Sequence, residues 1–530
     1  NGIKYYDNAT IVVSATSFKG GKASFYSDKS GGYGVNFNDC TFADWSQAAI
    51  RLNDGSLTVS NSQFNTNKIP LSFTQNVKQA VLVGNRFASA QVVTGGSFSD
   101  NDSRIRRDDA DTSIPHTPDY DYTFVSDVKP AGDAIFNVMD YGAVAGDTRR
   151  IPSDDSTGAF QQALDAAGEA GGGTVYIPAG AYRINGALSV PTGVELRGSF
   201  ESAHYGNSTY RGTQLCAYGY KDNEIGAPLI TLAEGAGIKG FTVFYPEQGY
   251  SDLADIDAEK VHAYPPTVRA NKNTWIQNMA MIATYTANDA MTNKCDNIVI
   301  TDVTGAAMYA TLIMGHGTDG GYVQNLHFNY SGWTQQGRYS NRPQGDDRDI
   351  STTSGKMADY TTRITKGLIL GDVKNVNFFS CFNIIVAEQI VLKADPYTGG
   401  SFDGTMWGVA FDAATNGVIG EAGSNAQLTI VSSMGVFNRQ GGGYNIRTQP
   451  GFTGRVSLFN ADAWDAESKL VYIEGGTVDL VQFFSWCVYN GVCRSGGVLN
   501  VYGSTIISNN GDNNGRVPDF TYESGAAGEV

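Results

Sequence analysis

Short segments recur at a nearly constant interval in the first hundred residues of the chain. Each runs as an alternating strand, a small or polar turn residue and an aromatic residue, and three of them end in phenylalanine: 35–42, 57–64 and 81–87. The three phenylalanines are 22 and 23 residues apart. A repeat of this period is typical of a solenoid, in which short strands wind into coils that stack on one another. The repeat therefore predicts an all-β fold, a right-handed parallel β-helix.

A second array of the same kind lies near the other end of the chain. It covers residues 456–464, 478–486 and 498–506, and the valines that begin these segments are 22 and 20 residues apart. The two arrays are far apart in the sequence, so we predict two tandem β-helical domains.

Residues 106–133 separate the arrays, and they carry charges and prolines but no repeat, as expected for a linker. We assign residues 1–105 to the closing coils of a first, incomplete β-helix and residues 134–530 to a second, complete one. The first helix has no opening cap, and an exposed solenoid end invites aggregation. We therefore expect that a missing N-terminal segment completes this helix or that another segment covers its end.

The composition suits many tight turns between short strands, with 64 glycines, 15 prolines and 17% charged residues. The net charge of −16 disfavours nucleic acid and anionic membranes and does not help to recruit a polyanionic glycan, so a neutral ligand fits better. No apolar run approaches the length of a membrane span, and we expect no membrane insertion. For the six cysteines we favour buried free thiols over a bridge between Cys487 and Cys493.

The start of the second helix carries a recognisable pattern. It reads YGAVAGD at 141–147, an amphipathic run at 159–167 between Asp or Ser caps and glycines, and GGGTVYIPAGAYRI at 171–184. The middle run predicts a short helix. The whole resembles the opening of pectate-lyase-like β-helix proteins, in which such a helix caps the first coil. Segments 238–248 and 319–328 are similar to the subset related to glycoside hydrolase family 55.

This resemblance implies a right-handed parallel β-helix and a secreted or cell-surface protein that acts on or binds a polysaccharide. It is more specific for the fold than for chemistry, because hydrolases, lyases, fructan transferases and phage tailspikes share this opening. We expect no metal and no cofactor.

Carboxylates on a parallel β-helix can lie one or two coils apart. These spacings match the distances between the two catalytic carboxyl groups of retaining and inverting glycosidases. Our candidates for the catalytic pair come from Glu388, Asp412, Asp395 and Asp319. Glu388 lies in an apolar run where burial would raise its pKa; the alternative is an outward residue paired with Lys393 or Arg363. Asp412 follows a strand that carries Trp407, whereas Asp395 precedes a proline and is favoured as a turn residue.

Residues 334–356 are rich in Gln, Arg, Ser and Gly, and they predict a long loop over one face of the helix. Three of its charged residues, Asp346, Asp347 and Arg348, either bind substrate or form a solvated tip. His316 lies in a Gly-rich turn and either lines the groove or is structural. Arg363 and Lys393 could bind an anionic group of a substrate, and sugar-stacking rings are expected at Trp333, Tyr339, Tyr397 and Trp407.

Three functions remain open from the sequence. A glycoside hydrolase on a neutral, glucan-like polysaccharide leads. A polysaccharide lyase on a uronate glycan is the rival enzyme, with Arg348, Arg363 or Lys393 neutralising the uronate. The third is a non-catalytic tailspike, adhesin or surface module that uses the helix as a rigid binding rod.

Overall fold

The structure is a computed structural model, and it describes residues 2–5, 10–31, 33–119, 128–146, 151–199, 212–248, 258–329, 351–437, 443–508, 520–522 and 524–528. The side chains of 351–355, 436–437, 464–469, 486–490, 505–508 and 520–521 are outside that description. Its strands wind as a right-handed parallel β-helix, as predicted, in two stacks with separate cores.

The first stack is the N-terminal solenoid. Every strand ladder described in it is parallel. Its last strand ends at Asp108, three residues past the predicted boundary at residue 105. Its strands are Ile3–Tyr5, Ile11–Ser14, Ser17–Lys19, Phe25–Ser27, Gly34–Asn38, Thr41–Ala43, Ile50–Ser60, Gln63–Phe64, Leu71–Val83, Arg86–Phe87, Val93–Thr94 and Ile105–Asp108.

The repeated phenylalanines of this solenoid stack in register. Phe42 lies beside Phe64 and Phe64 beside Phe87 in adjacent strands. Their ring centroids are 4.7 and 4.8 Å apart, which is the distance between neighbouring strands. The sequence repeat thus predicted the coil, and the spacing of its phenylalanines accounts for the aromatic stack.

The second stack is the main solenoid, and each of its complete coils has three faces. In the first complete coil, face 1 is Gly173–Ile177, face 2 is Gly180–Ile184 and face 3 is Leu188–Val190. The next coil adds Val194–Gly198 to face 1, and this order recurs along the stack. We name the corners by the faces they join: corner 1–2, corner 2–3 and corner 3–1.

The strands of the main solenoid are Ile135–Asn137, Gly173–Ile177, Gly180–Ile184, Leu188–Val190, Val194–Gly198, Thr213–Ala217, Ile230–Leu232, Gly237–Lys239, Thr242–Phe244, Val268–Arg269, Trp275–Ala290, Ile298–Met314, Thr318–Asn329, Lys366–Leu370, Val373–Phe379, Phe382–Ile384, Glu388–Leu392, Asp403–Trp407, Ala410–Ala414, Asn416–Gly420, Gln427–Val431, Met434–Phe437, Tyr444–Thr448, Arg455–Phe459, Asp462–Ile473, Gly476–Val481, Phe484–Cys493, Gly497–Tyr502, Thr505–Ser508 and Phe520–Tyr522. Two short 3₁₀ helices cover Val138–Tyr141 and Ala258–Lys260.

The late repeat is in register for only two of its three segments. Val456 lies beside Val478, as their spacing predicts, but Val478 lies beside Leu499 and not Val498. A shift of one residue moves a side chain to the other side of a strand, and the buried position is accordingly that of Leu499.

Corner 1–2 carries a residue with left-handed backbone in coil after coil. Asn278, Asn325 and Asn460 have φ values of 54°, 52° and 51°. Asparagine tolerates this conformation better than other residues with a Cβ, and a single left-handed residue lets the chain turn sharply between two strands. The polar turn residue of each sequence repeat serves this purpose.

The predicted capping helix is α1, Thr157–Glu169, and its buried residues Phe160, Ala163, Leu164 and Ala167 cover the first coil. Its N-terminal amide, Thr157 N–H, donates to Asp155 Oδ1 at 3.0 Å, whereas the hydroxyl of Ser156 accepts from Val144 N–H. Three glycines with positive φ, residues 171–173, follow its end, where the sequence predicted glycines.

A second helix, α2, covers Ser351–Ile364 and corrects the end of the loop predicted over 334–356, because residues 351–356 are helical. Residues 334–350 lie outside the described residues, and a loop there stays a prediction. Met357 and Thr361 on this helix are buried. Its last turn is joined to the solenoid, because Thr415 Oγ1 donates to Thr362 O at 2.7 Å. The polar composition concealed an amphipathic helix that packs beside corner 2–3.

The two solenoids pack against each other near corner 1–2. Gln482 Nε2 donates to Ser60 Oγ at 2.7 Å and to Phe37 O at 3.1 Å. An apolar cluster joins Val83 of the N-terminal solenoid to Val431, Phe459 and Val481 of the main one, with Ile114 of the predicted linker between them. The linker therefore fills the contact; whether the two stacks are domains that fold independently stays a prediction.

Five cysteines, Cys40, Cys216, Cys295, Cys381 and Cys493, are buried free thiols, which excludes the bridge from Cys493 to Cys487. In the described part of the chain, no helix has the length and hydrophobicity that crossing a bilayer requires.

We predict that Phe64→Ala lowers the free energy of unfolding by about 3–5 kcal/mol, because it opens a cavity in the middle of the aromatic stack. Tyr26→Ala removes a partly exposed ring under Arg51 and should cost about 1 kcal/mol or less. Urea denaturation of both variants measures the difference, and equal costs would contradict the stacking argument.

Candidate functional site

The structure brings two of the four predicted carboxylates to one corner. Ile384 on face 2 lies beside Asp412 of the next coil, and Glu388 at the start of face 3 lies beside Asn416. Asp412 and Glu388 therefore flank corner 2–3 on adjacent coils, with strands about 4.8 Å apart. Helix α2 ends at the same corner.

Asp412 lies on the outer side of its strand. The preceding residue, Phe411, belongs to the core, and Asp412 itself is half-buried. Burial raises the pKa of Asp412 above its ordinary value, because the charged form loses hydration that few hydrogen bonds replace. A carboxyl in this state can hold a proton at higher pH than a solvated aspartate.

Glu388 forms an ion pair with Lys366, whose Nζ is 2.8 Å from Oε2, and the two side chains are 24% and 26% exposed. The sequence proposed Lys393 or Arg363 as the partner, and the structure corrects this. Burial alone would lower the pKa of Lys366, but the Glu388 carboxylate outweighs burial and raises it. Arg363 is exposed on α2 and its Nε donates to Asp359 O, while Lys393 is half-buried beyond the other end of the Glu388 strand.

Other side chains extend this corner along the helix axis. The rings of Tyr285 and Tyr309 stack at 5.3 Å with planes 15° apart, and the residue after Tyr309 lies beside Lys366. Lys366, Glu388 and Asn416 follow on successive coils. Asn416 Oδ1 then accepts from Tyr444 N–H at 3.1 Å. We call this half-buried line the corner row: Tyr285, Tyr309, Lys366, Glu388, Asn416 and Tyr444.

The sequence pointed only to Glu388 in the corner row. The row lies where each face 3 strand starts, and that position could in principle have been found from the sequence. The segments between coils are long and of unequal length, however, so the sequence does not show which residues share it. A row of aromatic and polar side chains spaced by one coil suits an extended ligand that runs parallel to the axis.

Asp395 and His316 lie elsewhere, at corner 3–1. The buried Asp395 carboxylate accepts four backbone N–H groups, from His316 at 2.6 Å, Tyr397 at 2.8 Å, and Asp372 and Thr398 at 3.1 Å. Burial alone would raise the pKa of Asp395, but these amides outweigh it and hold the pKa below its ordinary value. This is the geometry of the turn role that the sequence favoured.

The His316 ring stacks on the half-exposed ring of Tyr397 at 4.4 Å, with planes 14° apart. Its Nδ1 is 3.1 Å from Thr292 O. The two rings lie at corner 3–1, opposite face 2, where Tyr397 is exposed and His316 is half-buried. A ligand contact at His316 stays a prediction, separate from corner 2–3.

The remaining candidates are also apart from that corner. Asp319 is exposed on face 1, where its Oδ1 accepts from Asn375 Nδ2 at 2.7 Å. Trp407 packs against the apolar cluster between the two solenoids. Trp333, Tyr339, Asp346, Asp347 and Arg348 lie outside the described residues.

No sequence feature singled out Asp462, which the structure places beside Met434 and Phe484 on face 2. Burial raises the pKa of Asp462 to about 6. Within the described residues, no three His, Cys, Asp or Glu side chains gather as a metal site would require.

We predict that Asp395→Asn lowers the free energy of unfolding at pH 7 by about 2–3 kcal/mol, because an amide cannot accept all four N–H bonds. The folded-state pKa lies below the ordinary 3.8, so this stabilisation is complete above that pH and is lost as pH falls below it. The difference from the native protein should therefore shrink near pH 3. Asp319→Asn, with one exposed bond, is the control; a pH-independent cost at Asp395 would contradict the account.

Comparison with known proteins gives a family match over the N-terminal part of the main solenoid. Residues 135–383 match the family model described as rhamnogalacturonase A/epimerase, pectate lyase-like. The chain is 34% identical over 145 residues to Mannuronan C5-epimerase AlgE3 of Azotobacter vinelandii, which covers 24% of this chain and 8% of that protein. It is 53% identical over 51 residues to Alginate lyase 7 of the same organism, covering 10% and 5%. The chain thus spans about a tenth or less of these relatives.

Two solved structures match the chain at low identity. The A-module of Mannuronan C-5 epimerase AlgE4 from Azotobacter vinelandii is 13% identical with a TM-score of 0.40, covering 75% of this chain and 99% of that one. A family 28 exopolygalacturonase of Yersinia enterocolitica is 13% identical with a TM-score of 0.43, covering 75% and 78%. These scores add nothing to the fold that the chain's own strands define, and the likeness to glycoside hydrolase family 55 stays a prediction. By its strand winding the chain is a right-handed parallel β-helix, and residues 135–383, a little under half of the chain, are similar to the pectate-lyase-like proteins of the matching family model.

Proposed function

We propose that the protein is an extracellular glycoside hydrolase that cleaves a neutral polysaccharide at corner 2–3. The observation that carries the proposal is the pairing of unlike carboxyl environments on adjacent coils. Asp412 is half-buried with a raised pKa, and Glu388 is held beside the Lys366 ammonium. Two carboxyl groups whose surroundings differ in this way suit the acid and base roles of glycoside hydrolysis.

Asp412 supplies the proton in this proposal. Its protonated carboxyl donates to the leaving glycosidic oxygen as the bond to the anomeric carbon breaks. Glu388 acts from the other side, either as the nucleophile or as the base that takes a proton from water. Lys366 is a positioning residue, because its ion pair orients the Glu388 carboxylate.

The corner row supports a polysaccharide as the substrate. The stacked rings of Tyr285 and Tyr309 provide an aromatic surface, and Asn416 provides a polar side chain within reach of ligand hydroxyl groups. The net charge of −16 favours a neutral glycan over a polyanionic one.

A lyase or epimerase acting on a uronate glycan is the second candidate. Two observations favour it: the curated relatives include mannuronan C5-epimerases and an alginate lyase, and Lys366 and Arg363 place cations near corner 2–3. A cation beside a uronate carboxylate lowers the barrier to removal of the adjacent proton.

A panel of neutral and uronate polysaccharides separates these activities. Reducing ends without ultraviolet-absorbing products support the hydrolase, and reducing ends with such products support a lyase. A change of uronate configuration, seen by NMR without chain cleavage, supports an epimerase. A protein that does none of these but binds a polysaccharide contradicts both enzymatic proposals.

On the substrate that the panel identifies, Asp412→Asn and Glu388→Gln should each lower kcat at least about 100-fold, the usual loss on removal of an acid or base. Asp403→Asn is the matched control, since Asp403 is an exposed carboxylate on face 1. Circular dichroism verifies folding of all three variants. Turnover near that of the native protein in both corner variants would rule out this pair.

A further inference from the structure

A cleft of about 350 Å³ lies where the two solenoids meet, away from corner 2–3. One wall comes from the strand Ile11–Ser14 and the preceding Thr10 in the N-terminal solenoid. The other comes from corner 1–2 and the start of face 2 in the main solenoid. The polar groups that line it are Thr10, Ser14, Ser432, Ser433, Asn460 and Asp462.

Two oxygens at this cleft are buried without a hydrogen-bond partner among the described residues, Asn460 Oδ1 and Asp462 Oδ1. The Asn460 amide is held in place because its Nδ2 donates to Ser14 Oγ across the contact between the solenoids. A buried acceptor without a partner costs about 1–3 kcal/mol, so a ligand that brings O–H donors to both oxygens would recover that energy.

The cleft also has an apolar side, formed by Val12, Met434 and Phe484. Met434 is 39% exposed, which is unusual for a large apolar side chain and leaves it free for contact. A surface that combines hydroxyl groups, unpaired acceptors and an apolar patch matches the two sides of a sugar ring, its O–H groups and its C–H face.

The charge of the cleft narrows the ligand class. Among the described residues that line it, Asp462 is the titratable group and none carries a cationic side chain. An anionic ligand would meet the carboxylate without a compensating cation. A neutral, hydroxyl-rich ligand meets no such penalty.

We propose that this cleft is a second glycan-binding site, which takes a neutral sugar unit of a polysaccharide between the two solenoids. It differs from corner 2–3 in place and in chemistry, because it has one carboxyl group and no carboxylate–lysine pair. Both solenoids supply its walls, so the site exists only while they are docked. It would anchor a polysaccharide chain whether or not the chain is cleaved at the corner.

Calorimetric titration with neutral gluco-oligosaccharides and neutral manno-oligosaccharides tests the proposal. The full chain carrying Asp412→Asn serves as the host, so that slow turnover does not disturb binding. We expect one of these neutral probes to bind, and an oligouronate of equal length to bind at least tenfold more weakly at this cleft. Asp462→Leu, added to the host, should lower the affinity for the neutral probe at least tenfold. Asp462→Asn should lower that affinity less.

Asp403→Asn, which changes an exposed carboxylate that is not among the residues lining the cleft, should leave the dissociation constant unchanged. Asp462→Leu removes a partly buried charge and replaces it with a side chain of similar size, and circular dichroism verifies that it folds. Equal affinity of the host and of its Asp462→Leu form overturns the proposal, as does a panel in which no neutral probe binds. Hydrolysis at corner 2–3 is measured in a separate assay, so the proposal for one site can be contradicted while the other stands.

Discussion

The parallel stacking of one coil on the next is the constraint on which the rest of this structure depends. Each strand satisfies its backbone groups with the strands above and below, and a buried residue is therefore repeated at the same place in every coil. The aromatic stack of Phe42, Phe64 and Phe87 and the left-handed corner residues such as Asn460 both follow from that repetition. Segments that do not form coil strands leave the stack at its corners, and α2 lies at one of them.

The same stacking determines where chemistry can occur. Outward side chains at a corner form rows spaced by one coil, and their hydration depends on what packs beside the corner. At corner 2–3, half-burial raises the pKa of Asp412, while the coil below Glu388 brings Lys366 within an ion-pair distance. At corner 3–1 the turns instead direct four amides at Asp395, which makes that carboxylate part of the structure. The same fold thus places one aspartate where burial raises its pKa and another where backbone amides lower it.

The contact between the solenoids adds a feature that neither stack has alone. Gln482 and Asn460 reach across to the N-terminal solenoid, and Ile114 of the connecting segment fills the apolar part of the seam. The packing is incomplete beside Asp462, where a cleft with unpaired acceptors remains. Contacts between repeat arrays depend on corners, which vary from coil to coil, and such gaps arise there more readily than inside a stack.

The sequence by itself determined the parallel β-helix, the N-terminal aromatic stack and the capping helix α1, because these depend on local periodicity and on neighbouring coils of regular length. It also selected Glu388 and Asp412, although their roles stay predictions. Only the tertiary structure decided that Lys366 pairs with Glu388, that Leu499 replaces Val498 in the ladder, and that Asp462 lies in a cleft. The physical reason is that these outcomes depend on register after excursions of irregular length and on contacts between coils far apart in the chain, which no local pattern records.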